Sequence, residues 1–119
     1  MTDLVACIST GKGTWGHVEK VIEEIEWNKI FLITNEFSKD KFTPKKNAEF
    51  IVIDTNKTIS EMAYHIKKSL EGKITDLEVA LNIVSGEGRE HMAIISALLQ
   101  LGLGIRLVAL TKEGVRVIE

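Results

Sequence analysis

Short apolar runs alternate with segments of helical period along this chain, and that alternation narrows the fold more than any other feature. Leu4 to Ile8 (LVACI), Ile30 to Ile33 (IFLI), Phe50 to Ile53 (FIVI) and Val79 to Val84 (VALNIV) are nearly unbroken apolar stretches. Such runs read as strands covered on both faces. Between them the period changes. From Trp15 to Trp27, Val18, Val21, Ile22 and Ile25 make a stripe, with Glu19, Lys20, Glu23, Glu24 and Glu26 on the opposite side. That is an amphipathic helix. A second helix is punctuated at both ends. Thr58 with Glu61 fits a capping box, Gly72 fits a stop, and Ile59, Met62, Ala63, Ile66 and Leu70 line its inner face. The segment holding the only proline, Pro44, predicts a connection with one helical turn around Ser38 to Lys41.

The last third differs in kind. The spacing predicts a helix over His91 to Leu101, and this helix is apolar almost all round. One sheet cannot cover every side of a helix, so a second partner is expected, here a second copy of the chain. Leu107 to Leu110 then reads as a strand, and Lys112-Glu113-Gly114 turns into Val115 to Ile118. So short a turn joins antiparallel neighbours. The expected architecture is α/β: a mainly parallel sheet with helices on both faces and a C-terminal antiparallel hairpin, in strand order 3-2-1-4-5-6. The 119 residues fit one domain spanning 1–119.

Charge and cysteine content exclude several functions. Fifteen Lys and Arg against seventeen Asp and Glu give −2 at neutral pH, which argues against direct binding to DNA. A lone cysteine, Cys7, closes no intrachain disulfide and builds no zinc site, and His17, His65 and His91 lack ligand spacing. No metal or cofactor is expected. The acidic start MTDLVACIS is not a signal peptide, and Gln100, Gly102, Gly104 and Arg106 break the longest apolar stretch. A cytoplasmic protein without a membrane span is the expectation.

In a sheet of this order, ligands sit at the carboxyl ends of the strands where the chain reverses direction, between strands one and four. The two most glycine-rich loops fall there. The first, Ser9 to Gly16 (STGKGTWG), satisfies G-x-G-x-x-G with Gly11, Gly13 and Gly16. Glycines let backbone approach phosphate, and a helix start favours negative charge. Lys12 adds a point charge, and Ser9, Thr10 and Thr14 offer hydroxyls. Glu36 lies where a ribose-binding acid is expected, although Asn35 and Glu36 also suit a plain turn. No Gly-Lys-Ser/Thr follows, so triphosphate hydrolysis lacks its loop.

The second loop, Ser85-Gly86-Glu87-Gly88-Arg89, again follows a strand and opens a helix. Arg89 opposes the positive end of the helix dipole unless an anion is present. Glu87 reads equally as a partner for Arg89 or Lys12. Asn82 is expected to point into the same crevice. Blander readings suit the remainder: His17 and His65 facing solvent, His91 contacting backbone, Trp15 in a core or interface, Cys7 inert, and Lys39, Lys41, Lys45 and Lys46 in a solvated loop.

Ser9-Thr10-Gly11 after the first strand, and Ser85-Gly86-Glu87-Gly88-Arg89 followed by Met92 and an apolar helix, resemble the two ligand loops of the CARF (CRISPR-associated Rossmann fold) domains. The resemblance spans most of the chain and implies a Rossmann-like homodimer, involved in antiviral defence, that binds cyclic oligoadenylate or a related nucleotide second messenger across its two-fold axis. The reading of the two loops and this resemblance together give the ligand residues as Ser9, Thr10, Gly11, Lys12, Gly13, Thr14, Asn82, Ser85, Gly86, Gly88 and Arg89. Some members of that family cleave the ring without metal; Ser9, Thr10, Lys12 and Arg89 are then the catalytic candidates. This chain departs from the family pattern at Glu87, which replaces a glycine and brings a negative charge, and Asn82 and Met92 each sit one place from the usual offset. A small dinucleotide-binding protein and an α/β interaction domain without ligand remain the competing readings.

Overall fold

A computed structural model describes residues 2–119. Six strands form one sheet in the order β3-β2-β1-β4-β5-β6. They are β1 (Leu4–Ile8), β2 (Ile30–Thr34), β3 (Glu49–Val52), β4 (Glu78–Asn82), β5 (Gly104–Thr111) and β6 (Gly114–Val117). Every neighbouring pair is parallel except β5 with β6. The helices are α1 (Trp15–Glu24), α2 (Glu36–Lys39), α3 (Ile59–Leu70) and α4 (Gly88–Gln100). The architecture is the Rossmann-like α/β layer expected from the apolar runs.

Two apolar clusters lie on opposite faces of the sheet. Val5, Cys7, Phe31, Ile33, Val79 and Leu81 pack against α3 and α4. Leu4, Ala6, Ile8, Leu32, Ala80 and Val108 pack against the Val18, Val21 and Ile22 stripe of α1. Alternation along each strand sets these faces, because successive side chains point to opposite sides. The same parity extends to the strand ends: Ser9 continues the α4-facing set of Val5 and Cys7, and Asn82 the α1-facing set of Ala80.

Caps fix the helix ends. Thr58 and Glu61 form the expected reciprocal box at the start of α3. Gly72, with φ of 76°, follows the end of α3 in the left-handed region that suits glycine. Helix α4 begins three residues earlier than its apolar stripe suggests, because Glu87 and Glu90 form a capping box of their own. Its inner side, Ala93, Ile94, Ala97 and Leu98, is fully buried, whereas Met92 and Leu99 on the outer side are each 62% exposed. Strand β5 also starts earlier than its apolar run, where Gly104 donates its N–H to Leu77 O and Arg106 lies 3.6 Å from Glu78. Among the described residues no helix is long and apolar enough to cross a membrane.

Candidate functional site

The turns after β1 and β4 are joined directly. Ser9 N donates to Ser85 Oγ at 3.0 Å, Gly86 N donates to Thr10 O at 3.0 Å, and Ser85 Oγ donates to the same carbonyl at 3.3 Å. Gly86 makes this approach possible. Its φ is 98°, and an added Cβ would lie 2.8 Å from Cys7 Sγ and 2.9 Å from Glu90 Oε1. No other residue type fits there without moving the core.

Beneath the joined turns lies a polar cluster that the sequence reading did not single out. Ser9 Oγ donates to Glu90 Oε2 at 2.6 Å and accepts from Asn35 Nδ2 at 3.0 Å. The other Glu90 oxygen accepts from Glu87 N at 2.9 Å. Glu90 is buried, and these donors offset the cost of burying its carboxylate. Burial and, less strongly, the Glu90 carboxylate push the Cys7 thiol well above its ordinary range. Cys7 is therefore an inert core thiol, as expected. Two signals could have revealed the cluster: the Glu87-x-x-Glu90 spacing of a capping box, and the parity that turns Ser9 toward α4.

This wiring corrects the expectation that Arg89 at the start of α4 marks an anion there. The Glu87 side chain accepts the N–H of Glu90 at the start of α4, and Thr10 Oγ1 also donates to Glu87, at 3.3 Å. The helix start is thus complemented by the chain's own carboxylates. Arg89 points elsewhere: its guanidinium donates to Thr55 O at 2.9 Å and Lys57 O at 2.6 Å. A cation at this helix start is accounted for by those carbonyls. Glu87 does not pair with Arg89 or Lys12. Ser9, Thr10, Asn35, Thr55, Arg89 and the two glutamates surround a cavity of about 150 Å³ over the ends of β1 and β2.

Other expected residues lie apart from this cavity. Asn82 faces α1, donating to Val108 O at 2.8 Å, with the His17 ring nitrogen 3.1 Å away. It is a buried brace between β4 and β5, placed by its parity rather than aimed into the crevice. His17 is likewise half-buried, not solvent-facing. Its Nε2 accepts from Leu110 N at 3.3 Å, and burial lowers its pKa. Lys12 is exposed, 5.9 Å from the Trp15 ring centroid, and Trp15 donates to Ser9 O. Gly11 has φ of 82°, and its carbonyl accepts from Thr14 Oγ1. Gly13 and Gly16 have ordinary φ and would meet nothing within 4 Å on gaining a Cβ. The close helix–strand approach that the third glycine of a dinucleotide fingerprint permits is absent from this turn. Gly88 is exposed at the start of α4, and His91 contacts the Ser85 carbonyl at 2.8 Å as expected.

A wider crevice of about 480 Å³ neighbours the small cavity and shares Asn35 and Thr55 with it. Glu36 and Phe37 of α2 line it together with the turn after β3, Asp54 to Asn56. Glu36 thus lies with the crevice, beside Asn35, whose side chain caps α2 by accepting from Ser38 N at 2.8 Å.

No family model and no curated protein matches the chain. Among solved structures it is similar to one described as FMN-dependent cysteine decarboxylases TvaF from thioviridamide biosynthesis, at 11% identity over 88% of this chain and 89% of that one, with a TM-score of 0.35. A likeness of this size carries nothing about ligand or reaction.

Proposed function

We propose that this chain is a dimeric, CARF-like domain of the cytoplasm that binds cyclic oligoadenylate or a related nucleotide second messenger at the joined turns. The observation that carries the reading is the direct hydrogen bonding of the Ser9–Thr10 and Ser85–Gly86 turns above a polar cavity. That cavity lies at the carboxyl ends of the central strands, where ligands of such sheets bind. The carboxylates decide the pose. Hydroxyl and amino groups of the ligand face Glu87 and Glu90, and phosphates stay outside, toward Lys12 and Lys57. Dimerisation is supported by the apolar side chains exposed on the outer side of α4, Met92 and Leu99, and by the half-exposed Leu107 of β5. Exposed apolar side chains of this size are suited to cover by a second copy.

The test is calorimetry and native mass spectrometry with cyclic oligoadenylates of several ring sizes. A dimer that retains one ring is the expected result, and a monomer without binding at high micromolar ligand overturns the reading. One observation favours a second reading, a metal-independent ring nuclease: the hydroxyl of Ser9 is 2.6 Å from a buried carboxylate, the pairing that orients a reacting hydroxyl. Incubating the ring with chelator and chromatographing the products separates the two. An intact ring excludes the nuclease; linear products support it.

A further inference from the structure

The 480 Å³ crevice carries an aromatic that the fold does not use. Phe37 is 68% exposed, on a helix of only four residues. A phenylalanine in this position contributes little to the core, whereas Phe31 of β2 is fully covered. Its ring is polarised by Lys41, whose ammonium lies 4.9 Å from the centroid, and most of the ring is still open. The turn after β3 lines the same crevice and is tied from two sides. Asp54 accepts from Asn56 N at 2.9 Å, and Arg89 ties down the Thr55 and Lys57 carbonyls. The exposed aromatic residue, this tied polar turn and Asn35 thus line one crevice.

From this juxtaposition we propose that the crevice between Phe37 and the Asp54–Asn56 turn is a nucleobase subsite, with Phe37 as the stacking platform. The inference deepens the nucleotide reading above and rests on it for the class of ligand. Stacking on an aromatic is tolerant of base identity. The polar wall supplies the discrimination: the Asn56 amide both donates and accepts, and the Asp54 carboxylate accepts from an exocyclic amine. An amino-bearing base such as adenine suits this wall better than uracil, whose carbonyls meet a carboxylate. The crevice shares Asn35 and Thr55 with the small cavity, so a base held there sets its sugar hydroxyls toward Ser9, Thr10 and Glu87.

The test titrates adenosine and uridine into the full chain, followed by amide chemical shifts, and repeats the titration with Phe37→Ala and Phe37→Tyr. Adenosine is expected to shift the amides of Phe37, Thr55 and Asn56, Phe37→Ala to weaken it about tenfold or more, and Phe37→Tyr to restore it. The exposed position keeps both variants folded, which an unchanged melting temperature checks. Equal adenosine affinity for wild type and Phe37→Ala, or shifts confined to other residues, overturns the subsite. A parallel titration with cyclic oligoadenylate separates this from the reading it rests on. Ring binding indifferent to Phe37 keeps the function and discards the subsite; Phe37-dependent adenosine binding without ring binding does the reverse. No binding of either discards both.

Discussion

The turns after β1 and β4 are alike in sequence and unlike in structure. Both are rich in glycine, both follow a central strand, and both open a helix. The first runs exposed from Thr10 to Gly13, and of its three glycines only Gly11 occupies a backbone region that favours one. The second is wired throughout: Ser85 is buried, Gly86 sits against the core, Glu87 and Glu90 close on the helix start, and Arg89 reaches the turn after β3. Glycine content alone therefore does not mark a phosphate cradle. A cradle also needs backbone N–H groups left without partners, and in the turn after β4 Gly86 N is held by the Thr10 carbonyl and Glu87 N and Glu90 N by carboxylates.

Substitutions sharpen that contrast in graded steps. The largest effect is expected at Gly86. Gly86→Ala combines a disfavoured φ with an approach of under 3 Å to Cys7 and Glu90, and is expected to destabilise the fold by about 3 kcal/mol or more in urea unfolding. Next comes Glu90→Gln. The amide keeps an acceptor for Ser9 but brings an N–H against Glu87 N, an expected loss of about 2 kcal/mol in the same measurement.

His17 gives a smaller, pH-dependent effect. Its neutral ring accepts from Leu110 N, and its pKa in the folded state is lowered, so the unfolded chain binds the proton more readily. The stability it contributes is full above the unfolded value of about 6.5 and is lost as pH falls below it. Melting at pH 7.5 and pH 5.5 is expected to show a larger acid loss in wild type than in His17→Gln. Smallest of all are Gly13→Ala and Gly16→Ala, expected to change stability by no more than about 0.5 kcal/mol, since each Cβ would enter open space. A large loss at Gly16 would mean that α1 packs more tightly on β1 than the open space around this glycine implies.

The strand order was legible because period and length were unambiguous: apolar runs too short for helices, separated by stripes of helical spacing. Boundaries were less so. The start of α4 was hidden because Gly88, Arg89 and Glu90 carry no apolar pattern, and their helical state follows from the capping box. The candidate site was half legible. Its loops were found from glycines and topology, yet glycine signals backbone freedom and says nothing about which side chain fills the space released. Glu90 and Asn35 enter only through contacts 81 and 26 residues away in sequence. Asn82 shows the converse: a polar residue near the right strand end, turned to the other face by parity.

The central claim is that Glu87 and Glu90 complement the start of α4 and that their charge keeps a free anion away from it. Its most direct test is a titration with inorganic pyrophosphate, reading the amide shifts of Gly88, Arg89 and Glu90 in wild type and in Glu87→Ala. Those three amides are expected to stay unmoved in wild type and to respond once Glu87 is removed. Saturable shifts there in wild type would contradict the claim.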